Sequence, residues 1–100
     1  MKTLKLVLKK RWYDMIASGE KKEEYRELTE YWESRLVTYP NWTDMCFFKE
    51  FDAVTFYLGY AKDRPSITFK IKEIRIGLGK PEWGAEQGKD YFVVELGERI

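Results

Sequence analysis

Apolar residues recur at every second position in four separate stretches, and this period of two constrains the fold more than any other feature. Leu4, Leu6 and Leu8 alternate with Lys5, Val7 and Lys9. Val54, Phe56 and Leu58 repeat the pattern; Ile67, Phe69 and Ile71 form a third run, and Phe92, Val94 and Leu96 a fourth. Successive side chains of a strand point to opposite faces, so each stretch predicts a strand with one buried face. In the third run the phase slips at Lys72-Glu73, because Ile74 and Ile76 follow the other parity. A bulge, or an inward-facing Glu73, is expected there. Only short helices fit between the strands. One runs from Lys10 to Ser18 with Trp12, Met15 and Ile16 on one face, and Gly19 is placed to end it in the left-handed conformation. Another follows the N-cap Thr29 to about Leu36, with Tyr31, Trp32 and Leu36 facing inward. Pro40-Asn41 marks a turn, residues 42–51 carry no period and receive no assignment, and 59–65 and 77–88 are loops. Four or more strands with two or three short helices predict an α+β domain on a curled sheet.

The length of 100 residues predicts a single domain, 1–100, that folds without staples. A net charge of +1 excludes a binder whose affinity rests on many uncompensated phosphate contacts, while leaving room for a local basic patch. Lys5, Lys9, Lys10, Arg11, Lys70, Lys72 and Arg75 offer a weak rim of this kind, opposed by neighbouring acids. The first ten residues contain no uninterrupted apolar run, so neither a leader nor a membrane span is expected. The single cysteine, Cys46, can form no internal disulfide, which fits a reducing, cytoplasmic setting. Within Met45-Cys46-Phe47-Phe48 it is expected to be a small buried hydrophobe.

Histidine is absent. That removes a Ser-His-Asp triad, a Cys-His dyad and a His-ligated zinc site, and one cysteine cannot build a thiolate cage. No metal and no cofactor are expected. Any catalytic proton transfer falls to Lys, Asp, Glu, Tyr, Cys46 or water.

The densest polar constellation is Ser18-Gly19-Glu20-Lys21-Lys22-Glu23-Glu24-Tyr25-Arg26. Its propensities favour helix, but the pairs Glu20/Glu24, Lys22/Arg26 and Glu23/Glu27 set like charges at spacing four. Pattern alone leaves helix and strand evenly matched. Gly19, Lys21, Glu24 and Arg26 fit the G-x-K-x-x-E-x-R signature of the ASCH family, a group within the PUA-like superfamily. The position after a strand and a short helix fits as well, and Gly59-Tyr60 and Pro81-Glu82-Trp83-Gly84-Ala85 look like elements of small ASCH proteins.

The resemblance implies a small PUA-like β-barrel with a cleft beside the signature, and a strand over 22–26. On a strand, Glu24 and Arg26 share a face, roughly 6.5 Å apart, and Tyr25 takes the other face as packing. Trp12 and Trp32 are expected in the core. Trp83, in a Gly-rich loop, either caps the barrel or stacks on a base. The resemblance further implies RNA or a nucleotide-like small molecule as partner. Gly19, Lys21, Glu24, Arg26, Tyr60 and Trp83 are the expected ligand-binding residues, with charge for phosphate and rings for bases. Lys21 and Arg26 would leave at least one positive charge without an internal partner, and so matter more for binding than for folding. The alternative is a small hydrolase, since some ASCH proteins are amidohydrolases on acetylcytidine and others ribonucleases. The amidohydrolase type uses a lysine, a threonine nucleophile and a glutamate. Lys21 matches the lysine, but Glu24 stands where the threonine would be. A water-mediated version would use Glu24 as base and Lys21 as oxyanion partner, with Glu82 as the remaining acid.

Overall fold

Residues 1–100 are described by a computed structural model. The chain runs β1 (Thr3–Leu8), α1 (Lys10–Ala17), β2 (Glu23–Arg26), α2 (Glu30–Leu36), β3 (Val37–Thr38), β4 (Phe47–Phe48), β5 (Ala53–Leu58), β6 (Ser66–Leu78) and β7 (Asp90–Arg99). A 3-10 turn, Pro81–Trp83, interrupts the loop between β6 and β7. Five strands form one curled sheet in the order β1-β5-β6-β7-β2, and β3 pairs with β4 separately. β1 lies parallel to β5, while every other pairing is antiparallel. The architecture is thus α+β on a curled sheet, as the alternating runs predict, and the curl is that of a half-barrel.

The alternation places the core. Leu4, Leu6, Leu8, Val54, Phe56, Ile67, Phe69, Phe92 and Val94 point to the inner face, where Tyr13 and Ile16 of α1 and Leu36 of α2 complete a cluster of 12 buried residues. Burying each large apolar side chain stabilises by roughly 1.5–3 kcal/mol, so this cluster dominates folding. The opposite parity on β7 builds a second, smaller core. Tyr91 and Val93 point outward and meet Tyr25, Ala85 and the ring of Trp83. The loop of residues 79–89 therefore covers the outer face of the sheet.

β2 occupies Glu23–Arg26, so the like-charge pairs prevail over helix propensity. The phase slip at Lys72-Glu73 is a bulge: register shifts fall between Phe69 and Ile71 and between Ile71 and Glu73, and Glu73 is exposed rather than inward. β6 and β7 extend beyond the expected spans as a long ribbon whose exposed positions include Ile76 and Leu78. Two further strands, β3 and β4, fall on or beside the unassigned stretch.

Three expectations about packing are corrected. Cys46 is exposed, because β4 begins only at Phe47 and nothing covers the preceding turn. Tyr31 is 54% exposed, because α2 is only seven residues long and turns chiefly Leu36 and Trp32 to the core. Trp12 is half-buried outside both cores: its ring lies 3.0 Å from where a Cβ on Gly84 would sit. No helix is long and apolar enough to cross a membrane.

Candidate functional site

Gly19 ends α1 at φ 84°, as its place in the sequence predicts. Its N–H donates to Ile16 O (3.1 Å), and the N–H of Lys21 donates to Met15 O (3.0 Å). These bonds turn the chain and launch Lys21 toward β2. The lysine is 1% exposed. Its Nζ donates to the carbonyl of Trp83 (2.7 Å) and pairs with Glu24 Oε1 (2.9 Å). The rings of Tyr25 and Trp12 flank the ammonium, with centroids 4.8 and 5.3 Å away. Such rings present negative faces to a cation. Burial pushes the Lys21 pKa below its ordinary value, and the charge and hydrogen bond of Glu24 partly hold it up. Burial also pushes the Tyr25 phenol well up, helped by its bond to Glu23 and opposed by the Lys80 N–H.

Glu24 is also buried, and its second oxygen pairs with Nη1 of Arg26. One carboxylate thus serves two cations. The expectation of a positive charge without an internal partner is corrected: both Lys21 and Arg26 have one, because Glu24 presents an oxygen to each. The trio still carries a net positive charge. Nη1 of Arg26 donates as well to Tyr25 O (2.9 Å), and Nη2 to Val7 O (3.1 Å). The guanidinium lies over the ring of Trp32, 5.1 Å from its centroid.

The bond to Val7 joins the two ends of the sheet. Asp52 N–H donates to Lys2 O and Gly59 N–H to Leu8 O, so even-numbered carbonyls of this segment face β5. Backbone groups alternate in direction along a strand, and Val7 O faces the unpaired edge. β2 is the terminal strand at the other end. Arg26 therefore bridges two strand edges that share no backbone ladder.

A groove of about 230 Å³ opens along this bridge. Lys5, Arg26, Arg35, Tyr31, Trp32 and Tyr60 line it above the backbone of Leu6 and Val7. It holds three cations, three rings and no carboxylate. A larger open depression of about 600 Å³ lies beside the β3–β4 pair, between Lys2 and Glu50, but it touches no signature residue.

The residues singled out in the sequence therefore divide. Arg26 and Tyr60 meet at the groove. Lys21, Glu24 and the Trp83 carbonyl meet in a buried cluster behind it. The Trp83 ring packs on the outer core with Lys80 Nζ 4.4 Å from its centroid, away from the groove. Glu82 is exposed and joins neither Lys21 nor Glu24. Sequence reasoning missed Arg35 and assigned Tyr31 and Trp32 to packing. The available signal was the helical spacing of Tyr31 and Arg35, which stacks the guanidinium 3.6 Å from the ring centroid. Comparison with protein-family models, curated proteins and solved structures finds no match to this chain.

Proposed function

We propose that the chain is an RNA- or nucleotide-binding domain of the PUA-like, ASCH type, acting through the groove between β1, β2 and α2. The observation that carries this reading is the composition of the groove: three cations and three aromatic rings with no acid among its lining. Cations attract phosphate, and rings accept a base of any sequence by stacking. The signature contributes in two ways. Arg26 forms part of the groove, while Lys21 and Glu24 hold Arg26 and the strand beneath it. A cytoplasmic, reducing setting is proposed with it, on the single cysteine.

No observation favours the hydrolase. Both oxygens of Glu24 and the ammonium of Lys21 are engaged with internal partners and closed to solvent. A general base must reach the proton it removes.

The test is calorimetry of the protein against short single-stranded RNA and free nucleotides, beside Tyr31→Ala and Tyr60→Ala. Both tyrosines are more than half exposed, so truncation leaves the fold intact. Each loss of a stacking ring weakens binding by about 1–3 kcal/mol. No heat of binding with any of these ligands, or equal affinity in both variants, ends the reading.

A further inference from the structure

Two of the three cations of the groove have no acidic partner in the protein; only Arg26 is paired with an acid. Lys5 and Arg35 form no ion pair; Arg35 donates one long bond to Tyr31 O (3.4 Å), and Lys5 Nζ donates none. An arginine carries five N–H donors and a lysine three, so most of these are free. No carboxylate lines the groove to answer them. A ligand that fits must therefore bring acceptors and negative charge, rather than the mixed donors and acceptors of a sugar alone.

Charge and size narrow the ligand further. Two cations without an acidic partner match a dianion. A phosphate monoester carries close to two negative charges at neutral pH, whereas each internal phosphodiester of a strand carries one. The space of about 230 Å³ lies below the roughly 300–1,000 Å³ of pockets that enclose a drug-sized ligand, so it admits part of one nucleotide rather than a run of them. Resting on the nucleotide-binding reading, we propose that the groove recognises one terminal nucleotide bearing a phosphate monoester, with Lys5 and Arg35 clamping the phosphate and Tyr31 or Tyr60 stacking on the base. The free mononucleotide and the 5′-phosphorylated end of an RNA share this chemistry.

The protein is suited to reveal such a ligand by pH. The second ionisation of a phosphate monoester lies near 6. The charged and titratable groups facing the phosphate are Lys5 from β1, Arg26 from β2, Arg35 and Tyr31 from α2, and Tyr60 from the loop after β5, with Glu24 behind Arg26. The chain contains no histidine, the one side chain whose ordinary titration falls in this range. A change in affinity between pH 7.5 and 5.5 then reports the ligand.

The experiment compares adenosine and uridine, their 5′-monophosphates, inorganic phosphate, and a short RNA with either a 5′-hydroxyl or a 5′-phosphate, by calorimetry at pH 7.5 and 5.5. Lys5→Gln and Arg35→Gln are run alongside, with thermal melts; both side chains are exposed, so the fold is retained. The expected result is that a terminal phosphate tightens binding by about tenfold or more, as charge-assisted bonds do. That gain shrinks at pH 5.5 and is lost in both variants. Binding of the monophosphates alone would assign a free nucleotide, and of the phosphorylated RNA as well, an RNA end. Equal affinity for the two RNAs when both bind, or for nucleosides and their monophosphates, overturns the clamp while leaving nucleic-acid binding in place. Inorganic phosphate binding as tightly as the monophosphates overturns the nucleotide assignment. Failure of every ligand overturns both readings.

Discussion

Lys21 illustrates how burial redefines a charged residue. Its ammonium is desolvated, donates to a backbone carbonyl on the loop over the outer face, and shares Glu24 with Arg26. Removing it strands the Trp83 carbonyl and one oxygen of Glu24, while Arg26 still neutralises the carboxylate, so Lys21→Met is expected to destabilise by about 2 kcal/mol and lower the melting temperature by roughly 8 °C or more. A melt within two or three degrees of wild type, using about the same per-kcal conversion, would make the ion pair dispensable. Tyr25 supplies a second prediction, with a direction in pH. Its phenol donates to Glu23 Oε1 (2.8 Å) and accepts from Lys80 N–H (3.0 Å), and its pKa is raised above the ordinary value of 10.0. Above that pH the unfolded chain releases the proton while the folded one keeps it. Stability is therefore full below pH 10 and falls as pH rises beyond it, by up to about 1.4 kcal/mol per pH unit. Lys21 acts in the opposite sense, since its pKa is lowered and an unfolded lysine holds its proton up to its ordinary 10.5. Both proteins of the comparison keep Lys21, so the difference isolates the phenol. Tyr25→Phe is expected to be less stable than wild type at pH 7, by about 1 kcal/mol for the lost bonds, and the gap should narrow between pH 9 and 11 in denaturant titrations. A gap of constant size would place the alkaline loss elsewhere.

At the scale of elements, two glycines test how the chain turns around the site. Gly19→Ala forces a side chain into the left-handed conformation at φ 84°, with open space around it. The cost is backbone strain alone, about 1 kcal/mol or more, and an unchanged melt would remove the glycine from the capping role. Gly79 is the contrasting case: a Cβ there would stand 2.6 Å from Ala85 Cβ and 2.9 Å from the Tyr25 ring. Gly79→Ala overpacks the small outer core by about 1–3 kcal/mol. Adding Ala85→Gly relieves the closer contact, so the double variant should lose less than the two single changes combined. Strict additivity would mean that the loop shifts freely. The elements themselves were largely legible. Alternation located β1, β5, β6 and β7, and the broken phase located the bulge, because one-sided burial imposes a period that the order of residues carries directly. β2 required the like-charge pairs and the family resemblance. β3 and β4 left no trace, because two-residue strands are too short to show a period, and Phe47 of β4 is exposed like Trp42 and Met45 before it.

At the scale of the whole molecule, legibility ended where sites depend on contacts distant in sequence. Arg26 was visible as a site residue from its motif, but its bond to Val7 joins positions at opposite ends of the sheet. Lys21 lines a space of about 210 Å³ with Gly19 and Lys22, as its place in the motif suggests, but nothing local reveals that its ammonium is bonded to the loop at Trp83. Arg35 and Lys5 became groove residues only through the docking of α2 beside β1. These contacts make the seam between β1 and β2 the feature most worth testing. The sheet is open in backbone terms between β1 and β2, and the guanidinium of Arg26 is the observed link, holding Val7 O, Tyr25 O and Glu24 with one planar fork. Lysine retains the charge for Glu24 but has no fixed fork to reach three acceptors in different directions. Arg26→Lys should therefore keep the inner core and loosen the seam. In hydrogen exchange, amides of β1 and β2 should exchange about tenfold faster or more, corresponding to the loss of at least one charge-assisted bond, while amides of the β6–β7 ribbon keep their protection. A uniform acceleration across all strands would mean that Arg26 supports the core as a whole. No change at β1 would mean that the edges hold together without the bridge. The localised pattern alone identifies the arginine as the clasp that sets the width of the groove in which it sits.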